Sequence, residues 1–197
     1  MKKRIILSFT SILLCISFCG CTSNYSKDVH FIHAVCLEKD TKSNSYKILC
    51  VCEKQSKDSK NNSENADAYF IAQQNADSFE NALQKLTKKY SNSYFASNTL
   101  YLIPDRTDSQ TIFKMGIFLS QSNILPTKTD VVLIKDTSAY ELLKNIKDEQ
   151  DIKKILKLTS NKKTNVIRFL CDYKKTSSKV HRLTLSDKNK IVIYKSN

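Results

Sequence analysis

Cysteine and histidine have the widest chemical reach of any residues in this chain, so their spacing comes first. His30 and His33 stand three apart in an alternating stretch. On a strand they point to opposite faces and cannot share a metal ion. Cys50 and Cys52 are two apart and share a face. A hairpin centred near Ser43 places Cys36 opposite Cys50, which leaves open a cross-strand disulfide or two buried thiols; the interior preference of cysteine favours thiols. Cys-x-Cys with one further cysteine lacks a nearby fourth zinc ligand. Cys171 and His181 fall in the C-terminal part with no Ser/His/Asp or Cys/His set around them, and Asp148, Glu149 and Asp151 read as a solvated turn. The expectation is a protein without catalytic, metal or cofactor-binding residues.

Cys21 differs because of what precedes it. Met1-Lys2-Lys3-Arg4 leads into an apolar run from 5 to 18, then Cys19-Gly20-Cys21. A basic start, a short apolar middle and a small residue before the cut describe an export signal. The run is shorter than the ~20 residues a helix needs to cross a bilayer. Phe18-Cys19-Gly20-Cys21 resembles the bacterial lipobox, in which the cysteine thiol takes a diacylglycerol, cleavage falls before the cysteine, and the new amino terminus receives a palmitate-class chain. The readings that compete are an ordinary cleaved signal with Cys21 incidental and an uncleaved anchor. The lipobox reading makes 1–20 a signal peptide, Cys21 the lipid attachment site and 21–28 a polar tether. Two or three acyl chains, at ~0.8 kcal/mol per buried methylene, hold a protein on a membrane durably.

The chain has 197 residues and a net charge of +13. Its 32 basic residues, less the three of the leader, leave 29 against 19 acidic ones, a net charge of +10. The excess is almost all lysine without aromatic interleaving, which argues against nucleic acid. It suits either an anionic membrane surface or a solvated lysine-rich exterior. Of two glycines, Gly20 belongs to the leader and Gly116 is the other. That excludes glycine-rich phosphate loops and dinucleotide fingerprints.

The elements follow from periodicity. Residues 29–37 and 46–53 alternate around a turn-rich 38–45, which predicts a β-hairpin with Phe31, His33, Val35 and Leu37 on one face and Ile32, Ala34 and Cys36 on the other. A polar stretch over 54–67 is a loop, and 68–72 a short strand. Asp77 with Glu80 three residues on reads as a capping box, behind which Phe79, Ala82, Leu83, Leu86 and Tyr90 form one helical face. A strand at 99–103 precedes a broadly apolar helix at 109–120 carrying Ile112, Phe113, Met115, Ile117, Phe118 and Leu119. A buried strand at 131–134 precedes a helix capped by Ser138-x-x-Glu141, and helical spacing continues through Ile152, Ile155, Leu156 and Leu158. Residues 166–171 fit a helix turn or a strand, and 180–185 with 191–194 a final hairpin. The expected fold class is α/β (α+β): a mixed β-sheet with helices packed on it, in the order β-β-β-α-β-α-β-α plus a short C-terminal segment. It places an α/β domain at 29–160 and a C-terminal remnant or hairpin at 161–197.

From Asp77 to Leu143 the chain resembles a known family. Ser78-Phe79-Glu80-Asn81-Ala82-Leu83-Gln84-Lys85-Leu86, then Tyr94-Phe95-Ala96-Ser97-Asn98 and Leu100-Tyr101-Leu102-Ile103, are similar to the helix, aromatic segment and strand of Ger(x)C-type spore-germination lipoproteins, the C subunits of nutrient germinant receptors. The helix at 112–119, the strand Val131-Val132-Leu133-Ile134, the helix at 139–143 and the opening hairpin fall in that family's order. Thr22-Ser23 stands where the family often has Trp-Asp, and the family carries further domains. The resemblance implies sporulation and spore germination as the setting and a non-enzymatic receptor subunit as the role. Its partners would be the receptor's integral membrane subunits, and its place the outer face of the cytoplasmic (spore inner) membrane, held by acylated Cys21. The alternative is a free-standing exported lipoprotein that binds a small ligand or an envelope polymer. The expected partner surface is the hairpin with 180–194, rather than the helix face bearing Lys85, Lys88 and Lys89.

Overall fold

The computed structural model describes residues 29–54, 69–159, 164–173, 179–186 and 190–194. In chain order the strands are β1 (His30–Asp40), β2 (Ser45–Lys54), β3 (Tyr69–Ala76), β4 (Ser93–Tyr94), β5 (Leu100–Pro104), β6 (Asp130–Ile134), β7 (Arg182–Leu185) and β8 (Ile191–Ile193). The helices are α1 (Phe79–Lys89), α2 (Ser109–Gln121), α3 (Ala139–Lys144), α4 (Glu149–Thr159) and α5 (Val166–Cys171). Among the described residues the strands form one mixed sheet in the order β3-β2-β1-β5-β6-β7-β8, with β4 also pairing β1. β1, β5, β6 and β7 run parallel, and the edges are antiparallel, β2 and β3 on one side and β8 on the other. The chain is therefore α/β, with a sheet of both strand senses and helices on it.

Helices cover both faces. One core joins Ile32, Val35 and Leu37 to Phe79 and Leu86 of α1, Met115 and Phe118 of α2 and Phe169 of α5. The other joins Ala34, Cys36, Leu102 and Val132 to Leu142 of α3 and Ile155 of α4. A strand buried on both faces reads as an unbroken apolar run. Leu100 to Ile103 and Val131 to Ile134 are such runs, and every residue in them is buried. Four helices open on a side chain that accepts from the first turn: Ser78 from Asn81 N, Asp108 from Thr111 N, Ser138 from Glu141 N, and Asn165 from Ile167 N and Arg168 N. These bonds occupy amide donors that have no partner within the helix.

The hairpin departs from expectation in two linked ways. Asp40 pairs with Ser45 across a four-residue loop, 41–44. Asp40 accepts from Lys42 N at 2.9 Å and Ser43 Oγ at 2.9 Å, and Asn44 takes φ 50° to close the turn. The hairpin's centre thus lies half a residue before Ser43, so Cys36 faces Leu49, and Cys50 faces Val35. A bulge then interrupts β1 between Ile32 and Ala34. It puts Ile32, Val35 and Leu37 on one face and Ala34 and Cys36 on the other, breaking the expected alternation. Cys36 lies in a different core layer from Cys50 and Cys52, and all three are free thiols, as is exposed Cys171. A disulfide between Cys36 and Cys50 is ruled out because their side chains leave opposite faces of the sheet.

Smaller differences have local causes. The α1 cap is Ser78, whose extended backbone precedes the first turn; Asp77 supports it by accepting from Asn81 Nδ2 at 2.7 Å. β3 runs on to Ala76, and 166–171 is the helix α5. From residue 55 on, the expected loop lies outside the described residues. Past residue 161, β7 pairs with β6 and β8 with β7, at the positions expected for the final hairpin.

Candidate functional site

Cys21, the expected lipid attachment site, lies outside the described residues. The described residues begin at Val29, and β1 starts at His30. Seven residues lie between Cys21 and Val29, and the eight steps between them, at ~3.3–3.6 Å each, reach at most about 29 Å. Any anchor at Cys21 therefore keeps the domain within about one domain diameter of the surface that holds it. Among the described residues no helix is long and apolar enough to cross a membrane.

The histidines sit on opposite sides of the sheet. His30 packs edge-on against Phe70 at 5.2 Å and Tyr90 at 5.9 Å. His33 meets Glu53, Nε2 to Oε2, at 2.7 Å and lies 5.3 Å from the ring of Tyr69. A His–carboxylate pair can move a proton, but its neighbour offers little to act on. Burial pushes the Tyr69 phenol up to about 12, with Glu53, Glu149 and Asp148 adding repulsion. A phenol so raised stays protonated at neutral pH and is a poor nucleophile. The three buried thiols are equally quiet: burial pushes Cys52 up to about 12 and holds Cys36 and Cys50 well above the ordinary thiol range. Among the described residues no group of three or more His, Cys, Asp or Glu could hold a metal ion.

The hairpin does not offer the open apolar faces on which the expected partner surface relied. β1 and β2 lie inside the sheet with helices over both faces, and Ile32, Val35, Cys36, Leu49 and Cys50 are fully buried. The hairpin has no spare apolar face. β8 at the far edge is half-buried throughout.

The exposed apolar surface that stands out lies on α2. Ile112, Met115, Phe118 and Leu119 turn inward, while Phe113 is 67% exposed and Ile117, one turn on, 39%. Ile124, just past the helix, is 47% exposed. α1 and α2 meet through the stacked rings of Phe79 and Phe118, 5.5 Å apart. Above that contact the two helices leave two grooves. One, of about 300 Å³, runs between Glu80, Gln84 and Thr87 of α1 and Gln121 and Ile124. The other, of about 220 Å³, lies between Glu80, Lys114 and Ile117, with Tyr46 in its wall. Lys114 is held there, donating to Tyr46 Oη at 2.6 Å with its ammonium 4.9 Å from the ring centre. The α1 side of the grooves is thus neutral or acidic, with Glu80 bordering both.

This face offers a shallow apolar ridge between two grooves, with few charges, which suits binding rather than bond-making. Lys85, Lys88 and Lys89, though exposed, do not line either groove. The sequence marked α2 only as broadly apolar, without separating its inward residues from Phe113 and Ile117. Comparison with known proteins leaves the fold and this face as the grounds for interpretation: no family model, no curated protein and no solved structure matches the chain.

Proposed function

We propose that this chain is a non-enzymatic binding protein, tethered to a membrane through acylated Cys21, whose α1–α2 face docks on an integral membrane partner. The resemblance to germination lipoproteins makes that partner the membrane subunits of a spore nutrient-germinant receptor. The observation that carries the reading is the outward ridge of α2, where Phe113 is 67% exposed on a helix whose other face fills the core. Monomeric proteins seldom leave large apolar groups contiguous without a use for them. The i, i+4 spacing of Phe113 and Ile117 beside two grooves is the pattern by which a helix receives another apolar helical segment. The short tether supports the membrane setting, since it holds the face near the bilayer from which such a segment would emerge.

Two measurements test this. Mass spectrometry of the mature amino terminus should find an acylated cysteine at position 21, and Cys21→Ser should release the chain from the membrane fraction. An unmodified terminus at any other residue overturns the anchor. A photocrosslinking residue placed at Ile117 should capture a multi-pass membrane protein in spore membranes, while one at exposed Tyr140 on the opposite face should not. Equal capture from both sites, or capture from neither, overturns the docking face.

A further inference from the structure

Beneath the edge of the sheet lies a second open site, distinct from the α2 ridge. A cleft of about 680 Å³ separates the α3–α4 connection and the outer side of α4 from β8. Its size falls within the range of small-molecule sites, roughly 300–1,000 Å³. Among the described residues Lys147, Lys154 and Lys190 line it, with Asp151 as the single carboxylate and Leu158 and Ile191 as apolar wall.

The carboxylate is already spent. Asp151 Oδ1 accepts from Lys154 Nζ at 3.0 Å, and Oδ2 accepts from the backbone N–H of Lys147 at 3.1 Å. Among the described residues no carboxylate pairs with the ammonium of Lys147 or of Lys190. Three cations against one anion among the described residues give the cleft a net charge of +2, which favours an anion. The donors are all lysine, which binds phosphate as a point charge; a carboxylate site gains more from the planar fork of arginine. A phosphate monoester carries about −1.5 to −2 at neutral pH, which matches the cleft's charge. Beside the cations, Leu158 is 40% exposed and Ile191 half-buried, so the wall offers room for an aliphatic group.

We infer that this cleft binds the phosphate monoester of an amphiphile, the phosphate among Lys147, Lys154 and Lys190 and the alkyl part against Leu158 and Ile191. The inference does not depend on which partner meets α2. A lipid headgroup and a free alkyl phosphate share this chemistry, and the experiment separates them.

The full chain is reconstituted in phosphatidylcholine vesicles, and lysine acetylation is followed residue by residue by mass spectrometry. Hexyl phosphate should slow acetylation of Lys147, Lys154 and Lys190 several-fold, leaving exposed Lys88 unchanged. Hexanol should not protect, and inorganic phosphate should protect only at higher concentration. In Lys190→Gln, the hexyl phosphate needed to half-protect Lys147 and Lys154 should rise on the order of tenfold. Leu158→Ser should weaken hexyl phosphate and leave inorganic phosphate unchanged. Both substitutions replace exposed side chains, and circular dichroism checks that the fold survives. Protection when phosphatidic acid is added to the vesicles identifies a lipid headgroup, and protection by the soluble ester alone a free phosphate. Equal protection of Lys88, protection by hexanol, or a Lys190→Gln variant that behaves as wild type overturns the assignment.

Discussion

Phe113 and Phe118 lie five residues apart on α2, and truncating each to alanine should separate stability from association. Phe118 is 2% exposed, and its ring stacks on Phe79 at 5.5 Å with 26° between planes. Removing a buried phenylalanine loses its transfer energy and leaves a cavity, about 3–5 kcal/mol in all. Phe113 is 67% exposed, so only a third of its surface is withdrawn from water. Full burial is worth about 1.5–3 kcal/mol, which makes its share ~0.5–1 kcal/mol. Alanine's better helix propensity returns a few tenths. Urea unfolding of the detergent-solubilised chain, followed by circular dichroism, should therefore show Phe113→Ala within about 1 kcal/mol of wild type and Phe118→Ala far below both. In a complex that buries the remaining two-thirds of Phe113, its loss should cost ~1–2 kcal/mol, or roughly five- to thirty-fold in affinity. A Phe113→Ala loss of folding stability above about 2 kcal/mol would mean the ring is part of the core. Unchanged affinity for the crosslinked partner would remove the ridge from the interface.

Three further outcomes follow from particular contacts. Gly116→Ala should stabilise the chain by about 0.5–1 kcal/mol in the same unfolding assay, because a Cβ there meets only Leu170 Cβ at an ordinary 3.9 Å and glycine inside a helix is costly; destabilisation would show tighter α2–α5 packing. Alkylation at pH 8 with peptide mapping should label exposed Cys171 at once and reach Cys36, Cys50 and Cys52 only through unfolding. With Cys52 pushed up to about 12 by burial, on the order of one molecule in ten thousand carries its thiolate, and fast labelling would contradict its position in the core. Finally, the Thr111 hydroxyl and amide hold the Asp108 carboxyl below its usual range. The depressed value means its capping contribution is complete above the ordinary carboxylate pKa and is lost as pH falls through the lower folded value. Asp108→Ala should therefore cost about 1 kcal/mol at pH 7 and progressively less in acid, and a gap that widens on acidification would reverse the argument.

Periodicity carried much of the fold because it reports burial directly. The runs Leu100 to Ile103 and Val131 to Ile134 are apolar on both faces and became interior parallel strands. The spacing of Phe79, Ala82, Leu83 and Leu86 marked the buried side of α1 correctly. What periodicity cannot report is a break in itself. The bulge between Ile32 and Ala34 shifts one face relative to the other within β1, and no residue type announces it. The hairpin register turned on whether Asp40 or a later residue closes the loop, a half-residue choice that inverts the partners of Cys36 and Cys50. The α2 ridge was hidden for the opposite reason. Ile112, Phe113, Met115, Ile117, Phe118 and Leu119 wrap more than half of the helix, so composition alone cannot say which of them point away. The lysine-lined cleft joins residues more than thirty positions apart, on α4 and β8, and pairing of that range leaves no local pattern.

The central position of β1 has a consequence for the order in which the chain becomes ordered. One of its edges is filled by β2 after a four-residue loop, whereas the other waits for β4 at its first two residues and for β5, which begins at Leu100, over Ala34 to Cys36. A chain growing from its amino end can therefore form the β1–β2–β3 meander early. It must then carry an unpaired inner edge through the synthesis of α1, until β4 pairs its first residues and β5 the rest. During that interval Ala34, Cys36 and their neighbours face water on the side later covered by α3 and α4. Open strand edges with apolar faces are where nascent chains misassociate. Nascent intermediates stopped short of Leu100 should therefore be the most prone to aggregate, and those stopped after β6 much less so.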